Sequence, residues 1–250
     1  MNFTLGMTSV TFREKTIAEV ASLAKKAGLS EIEWGGDRHI PPMDRDAMRE
    51  AREEMERNAL LCSSYGSYYR LGDNDEDAFH AICRTADFLG ASVIRTWLGR
   101  RGSAVMPSEM RASILEETKR LSDIAAKYKK ILAFEFHGKT LNDTGESSIA
   151  FLEECKKENV KTYWQPLSFS DNEKNLSLVL PYLAAVHVFT WNDAYERFPL
   201  ADGALQWKNY LQILKNADIS TKLIMEFVQN DSEEQFLKDA AFLHQITKNL

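Results

Sequence analysis

Five polar side chains in the second half of this 250-residue chain stand where their neighbours are apolar or aromatic. Glu135 and His137 lie in Phe134-Glu135-Phe136-His137-Gly138, Gln165 in Tyr163-Trp164-Gln165-Pro166, His187 in Val186-His187-Val188-Phe189, and Glu226 in Met225-Glu226-Phe227. Burying an unpaired carboxylate costs on the order of several kcal/mol, and a divalent ion shared by Glu135 and Glu226 removes that cost for both. Two carboxylates, the His187 imidazole and the Gln165 amide oxygen make a mostly hard ligand set. It suits Mn²⁺, Mg²⁺ or Co²⁺ best, with Zn²⁺ also within its range. Taken singly, each residue has a blander reading: a strand histidine is more often a satisfied core residue, and a strand-end glutamate often pairs with Lys or Arg. The recurrence of the pattern over four successive apolar runs favours a metal site.

Further residues suit a substrate pocket. Glu135 and His137 are two apart, so they share one face of an extended segment, and His137 can approach the same substrate carbon without being a ligand. Arg95 and Trp97 share a face in the same way, and a guanidinium near a metal would clamp a carboxylate or phosphate. The alternative for Arg95 is an internal ion pair with Glu33 or Asp37. Tyr65 and Trp34 close two earlier apolar runs and Lys139 follows His137, which makes all three candidates for substrate contact.

The elements that position these residues repeat. Short apolar runs recur at Leu5–Val10, Glu31–Trp34, Leu60–Tyr65, Val93–Trp97, Ile131–Phe136, Lys161–Trp164, Ala185–Phe189 and Leu223–Val228. Most are continuously apolar, as parallel strands covered by helices require. Between them lies helix punctuation: a capping box at Thr16/Glu19 with a stop at Gly28, a stripe from Phe79 to Leu89 ended by Gly90, a long amphipathic stretch from Ser108, and a second box at Ser232/Gln235. The charged segment Asp44–Ala59 reads as an outer helix. The stretch between Trp164 and Ala185 has room only for a short helix.

Eight such units in about 250 residues predict an α/β chain folded as one (β/α)8 TIM barrel over residues 1–250, with its chemistry at the C-terminal ends of the strands. A doubly wound open sheet fits less well, because Val10-Thr11-Phe12-Arg13 stands where its glycine-rich phosphate loop would follow the first strand.

Composition narrows the function. A net charge of −6 speaks against nucleic acid as a partner. No run of about 18 apolar residues suggests a membrane span, and the segment from Met1 lacks the pattern of a signal peptide. Three cysteines without metal-type spacing read as reduced thiols, which sets the expected location as cytoplasmic. The partner expected is a small hydroxy-carbonyl compound, with homo-oligomerisation left open.

Ser9–Arg13, Ile32–Asp37, Ile94–Trp97, Glu135–Thr144 and Met225–Phe227 together resemble the xylose-isomerase-like barrel superfamily of sugar phosphate isomerases and epimerases. The Glu-x-His…Thr-Leu-x-Asp-Thr run, with Arg95-Thr96-Trp97 ahead of Gly102-Ser103-Ala104, is similar to 3-dehydroshikimate dehydratases. The resemblance implies metal ligands at Glu135, Gln165, His187 and Glu226. Gln165 departs from the Asp common there, so the ligand charge falls from about −3 to −2 and the ion should be held less tightly. As an isomerase or epimerase, the protein would use Glu135 and Glu226 to remove and return a proton beside a carbonyl. As a dehydratase, it would use His137 as the base and expel a β-hydroxyl. A non-catalytic sugar-binding barrel is a further reading. A three-zinc DNA-repair endonuclease is poorly served by five histidines and the negative charge.

Overall fold

The computed structural model describes residues 2–248, so Met1, Asn249 and Leu250 lie outside the described residues. Eight parallel strands close into a barrel: β1 (Phe3–Thr8), β2 (Glu31–Gly35), β3 (Leu61–Arg70), β4 (Val93–Trp97), β5 (Ile131–Phe134), β6 (Val160–Trp164), β7 (Leu183–Val188) and β10 (Thr221–Met225). Each pairs with its neighbour in the sequence of units, and β10 closes the ring on β1 with Leu5 opposite Leu223. A small antiparallel hairpin, β8 (Thr190–Trp191) with β9 (Arg197–Phe198), sits in the loop after β7.

Helices α1 (Ile17–Lys26), α2 (Arg45–Asn58), α3 (Glu76–Leu89), α4 (Ser108–Lys127), α5 (Gly145–Cys155), α6 (Asn172–Val179), α7 (Ala204–Asn216) and α8 (Glu233–Lys248) cover the outside. Local chemistry explains their ends. Thr16 and Glu19 satisfy each other's backbone N–H groups in a complete capping box. Ser232 accepts from the Gln235 N–H, but the Gln235 side chain turns to Asp239, so the second box is only half formed. Gly28 and Gly90 adopt the left-handed backbone that follows α1 and ends α3. The charged α2 still buries Met48, Ala51 and Met55 on one face.

The main core lies between sheet and helices, where Ile32, Trp34, Tyr65, Ile94, Leu132, Trp164, Val186 and Leu223 are buried. A smaller apolar cluster, Val93, Ala133, Tyr163 and Ala185, draws one residue from each of β4 to β7. Each lies two residues before Arg95, Glu135, Gln165 and His187 respectively, so strand parity puts the cluster inside the barrel as the layer beneath them.

Candidate metal and active site

The strand ends bring the expected ligands together. One ligand atom each from Glu135, His187 and Glu226 lies within 4.8 Å of the others, and all three residues are buried. Gln165, 2% exposed, puts its Oε1 3.0 Å from His187 Nδ1. Glu226 Oε2 lies 3.4 Å from the same nitrogen and has no hydrogen-bond partner. Four side chains from β7 and the ends of β5, β6 and β10 thus meet at the C-terminal mouth.

A carboxylate that the sequence reading treated only as a partner for Arg95 completes the centre. Glu33, fully buried on β2, lies 3.4 Å from His187 Nε2, accepts from Ser64 Oγ at 2.7 Å, and pairs with Arg95 Nε at 2.9 Å. A metal-bound histidine generally directs its other ring nitrogen at a carboxylate, which fixes its tautomer and raises its basicity. Glu33 stands in that place. Its signal in the sequence was the same as that of Glu135, an acid inside an apolar run. Gly66 leaves room for the pair: a Cβ there would come within 2.7 Å of Arg95 Nη2 and 3.3 Å of Glu33 Oε1.

These residues fit a divalent ion. His187 Nδ1 faces two oxygen donors, Glu226 Oε2 has no partner to offset its burial, and the donor set is hard and mostly oxygen.

The two ligand carboxylates differ in proton affinity. Burial pushes Glu226 up to about 7, with the neighbouring charge of Glu135 adding to the rise and His187 opposing it. Burial also penalises ionised Glu135, but Arg95, then His187 and His137, outweigh it and hold the group below the usual carboxylate range. Glu33 is likewise lowered by Arg95 and His187 against its burial. His187 is raised, because Glu226 and Glu33 overcome the cost of desolvating its charged form.

The other predicted residues divide. Arg95, 2% exposed, forms the Glu33 ion pair given as its alternative and also bonds Glu135, so its guanidinium is engaged from both sides. Trp97 donates its indole N–H to Glu135, and His137 lies against the same indole with ring centroids 5.4 Å apart. Both therefore border the site. Glu135 and His137 fall just past the end of β5 instead of within it. The Thr140–Thr144 run fastens that loop: Thr140 bonds the His137 carbonyl, Asn142 ties Phe134 to Thr162, and Thr144 caps α5. Lys139 is exposed on the same loop, with a left-handed backbone.

Trp34 and Tyr65 are not brought to the mouth. Trp34 donates to Met55 of α2, and Tyr65 donates to the Ile40 carbonyl at 2.7 Å, both within the sheet–helix core. Tyr68 and Arg70, beyond the expected end of the third strand, stand at the mouth instead. The β3–β4 register shifts between Gly66 and Arg70, and Tyr68 there adopts a left-handed backbone. Its ring lies 5.4 Å from the Arg95 guanidinium, and its hydroxyl is 2.9 Å from Arg13.

A sequence profile of the Xylose isomerase-like TIM barrel family matches residues 21–246. The chain belongs to this family. No curated protein matches the chain. Among solved structures, the probable 3-DHS dehydratase AsbF of Bacillus anthracis superposes with a TM-score of 0.80 at 17% identity, covering 98% of this chain and 99% of that one. D-allulose 3-epimerase from Methylomonas sp., in complex with D-allulose, has a TM-score of 0.78 at 17% identity, covering 100% and 98%. A xylose isomerase-like TIM barrel protein from Mycobacterium smegmatis, in complex with magnesium, has a TM-score of 0.74 at 15% identity, covering 97% and 96%. At these identities the likeness speaks for the fold. Among the described residues no helix is long and apolar enough to cross a membrane.

Proposed function

We propose that the chain acts as one domain, a divalent-metal-dependent isomerase or epimerase of a small keto sugar or sugar phosphate. The observation that carries this reading is the meeting of two buried carboxylates, Glu135 and Glu226, around one imidazole. Proton abstraction beside a carbonyl and its return need two groups at the reacting carbon, one to take the proton and one to give it back. Glu135, Gln165, His187 and Glu226 would hold the ion, which when bound supplies positive charge to polarise the carbonyl. Glu33 orients His187, and the Arg95 and Trp97 donors hold Glu135. The solved relatives with a bound sugar or with magnesium support the same class of chemistry.

A dehydratase reading is favoured by one observation, the position of His137 on the Trp97 indole beside Glu135. There His137 would take the proton and a β-hydroxyl would leave as water. Mn²⁺-loaded protein screened against ketoses, ketose phosphates and 3-dehydroshikimate in D₂O separates the readings. Deuterium entering the carbon next to the carbonyl of a ketose supports the isomerase or epimerase. A conjugated product from 3-dehydroshikimate, lost in His137→Asn, would replace it with the dehydratase.

A further inference from the structure

The groups that converge at the centre are shut off from solvent. Glu135, His187 and Glu226 are 3%, 0% and 5% exposed, and Glu226 Oε2 is buried. An ion or a substrate can reach them only if a side chain at the mouth moves aside.

Tyr68 is the least securely held of the side chains packed there. Its ring meets the Trp97 indole with centroids 5.5 Å apart and lies 5.4 Å from the Arg95 guanidinium carbon. Arg95 and Trp97 are themselves fixed by the bonds they donate to Glu135. The only side-chain hydrogen bond of Tyr68 among the described residues is accepted from Arg13 Nη2 at 2.9 Å. Arg13, on the loop after β1, pairs with Asp37 at 2.6 Å, and both side chains are partly exposed. Thr11, on the same loop, donates to the Glu226 carbonyl. The Tyr68–Arg13 contact therefore bridges the Glu226 side of the mouth to the side that holds Glu135.

The backbone around Tyr68 is pinned. Ser67 Oγ donates to the Arg95 carbonyl at 2.8 Å and accepts from the Tyr69 N–H at 3.3 Å. The Tyr69 hydroxyl donates at 2.7 Å to Glu117, buried on α4, which also accepts from the Asn74 N–H at 2.8 Å. Tyr68 itself has φ 59°, a conformation that a residue with a Cβ keeps only where its surroundings impose it. Motion is thus confined to the Tyr68 side chain, which can rotate about Cα–Cβ while the loop stays in place.

We propose that Tyr68 is a gate over the centre and that Arg13, held by Asp37, is its latch. With the latch made, the ring closes the path between solvent and the buried carboxylates. When the Arg13 bond breaks, the ring swings out and the centre opens. That bond yields first because its donor is half exposed, whereas the other polar links around the ring are buried. The inference rests on the geometry of the centre and holds whichever reaction takes place there.

Labelling of the metal-free full chain with diethyl pyrocarbonate near neutral pH, read at each histidine by mass spectrometry, tests the gate without metal or turnover. In the wild type His187 should react more slowly than His80 on α3. Arg13→Gln and Tyr68→Phe, which remove the latch, should each speed the labelling of His187 by about tenfold, the scale of one charge-assisted hydrogen bond. Tyr68→Ala, which removes the ring, should speed it further. Rates at His80 and His244 should stay at their wild-type values. Arg13 is exposed, so its variant reports even if Tyr68→Ala fails to fold. Unchanged labelling of His187 in Arg13→Gln and Tyr68→Phe, equal rates at His187 and His80 in the wild type, or a rise shared by His80 and His244 would overturn the proposal.

Discussion

The polar interior of the barrel mouth has two halves, and they solve the problem of buried charge in opposite ways. On β2 to β4, Glu33, Ser64 and Arg95 largely satisfy one another: Ser64 and Arg95 occupy both Glu33 oxygens, and one Arg95 nitrogen, Nη2, is left beside Gly66. On β7 and at the ends of β5, β6 and β10, Glu226 Oε2 is buried with no hydrogen bond, 3.4 Å from the His187 Nδ1 that also faces Gln165, and Glu226 bears a raised proton affinity. A satisfied network is scaffold, whereas an unsatisfied one points to a ligand that completes it. Glu135 belongs to both, bonded by Arg95 on one side and facing His187 and Glu226 on the other.

Variants on the two sides should therefore separate activity from stability. The largest effect expected is on turnover: Glu135→Gln and Glu226→Gln should each slow the Mn²⁺-loaded protein by at least about 100-fold, the usual contribution of a positioned acid or base. Wild-type rates in either would remove the two-carboxylate mechanism. Stability should respond differently. Glu33→Gln breaks a buried ion pair and leaves Arg95 with Glu135 alone, which should lower unfolding stability by about 3 kcal/mol in urea titrations. Glu226→Gln should not destabilise the metal-free protein. Because folding raises the Glu226 pKa, this group's contribution to stability is present at low pH and is lost as pH rises through about 7. The variant should accordingly gain on wild type as pH rises from about 5 to 8; a gap that narrows over that range would refute the assignment of an unpaired carboxylate.

Smaller changes sharpen the contrast. Gln165→Asp adds a negative charge to the unsatisfied half and should tighten Mn²⁺ by about tenfold. Looser binding would mean that Gln165 Oε1 is committed to His187. His137→Asn should retain activity within about tenfold in an isomerase or epimerase, since the histidine lies on the Trp97 indole and is not one of the groups that would hold the ion.

The barrel was legible in the sequence because parallel strands covered on both sides are nearly continuous apolar runs, and each expected run overlaps a barrel strand. The ends were less so. The third apolar run ends at Tyr65, yet β3 reaches Arg70 through a register shift, and Tyr68 and Arg70 at its far end break the apolar pattern that marks the other strands. The β8–β9 hairpin went unseen because two-residue strands carry no periodicity. Trp34 and Tyr65 lie in the sheet–helix core and not at the mouth, as strand parity requires: once Glu33 and Ser64 face inward, their immediate neighbours face the helices. The ligand set was legible because each member breaks an apolar run. Glu33 breaks one too, and its role emerges only from the barrel's closure, which brings β2 across to β7.

The most direct test of the account is a Mn²⁺ titration of metal-free wild-type, Glu226→Gln and Glu33→Gln protein, followed by electron paramagnetic resonance. The account predicts one ion per wild-type chain, a loss of affinity of at least tenfold in Glu226→Gln, and a smaller loss in Glu33→Gln, which acts through His187. No uptake by the wild type, or uptake indifferent to Glu226→Gln, would contradict it.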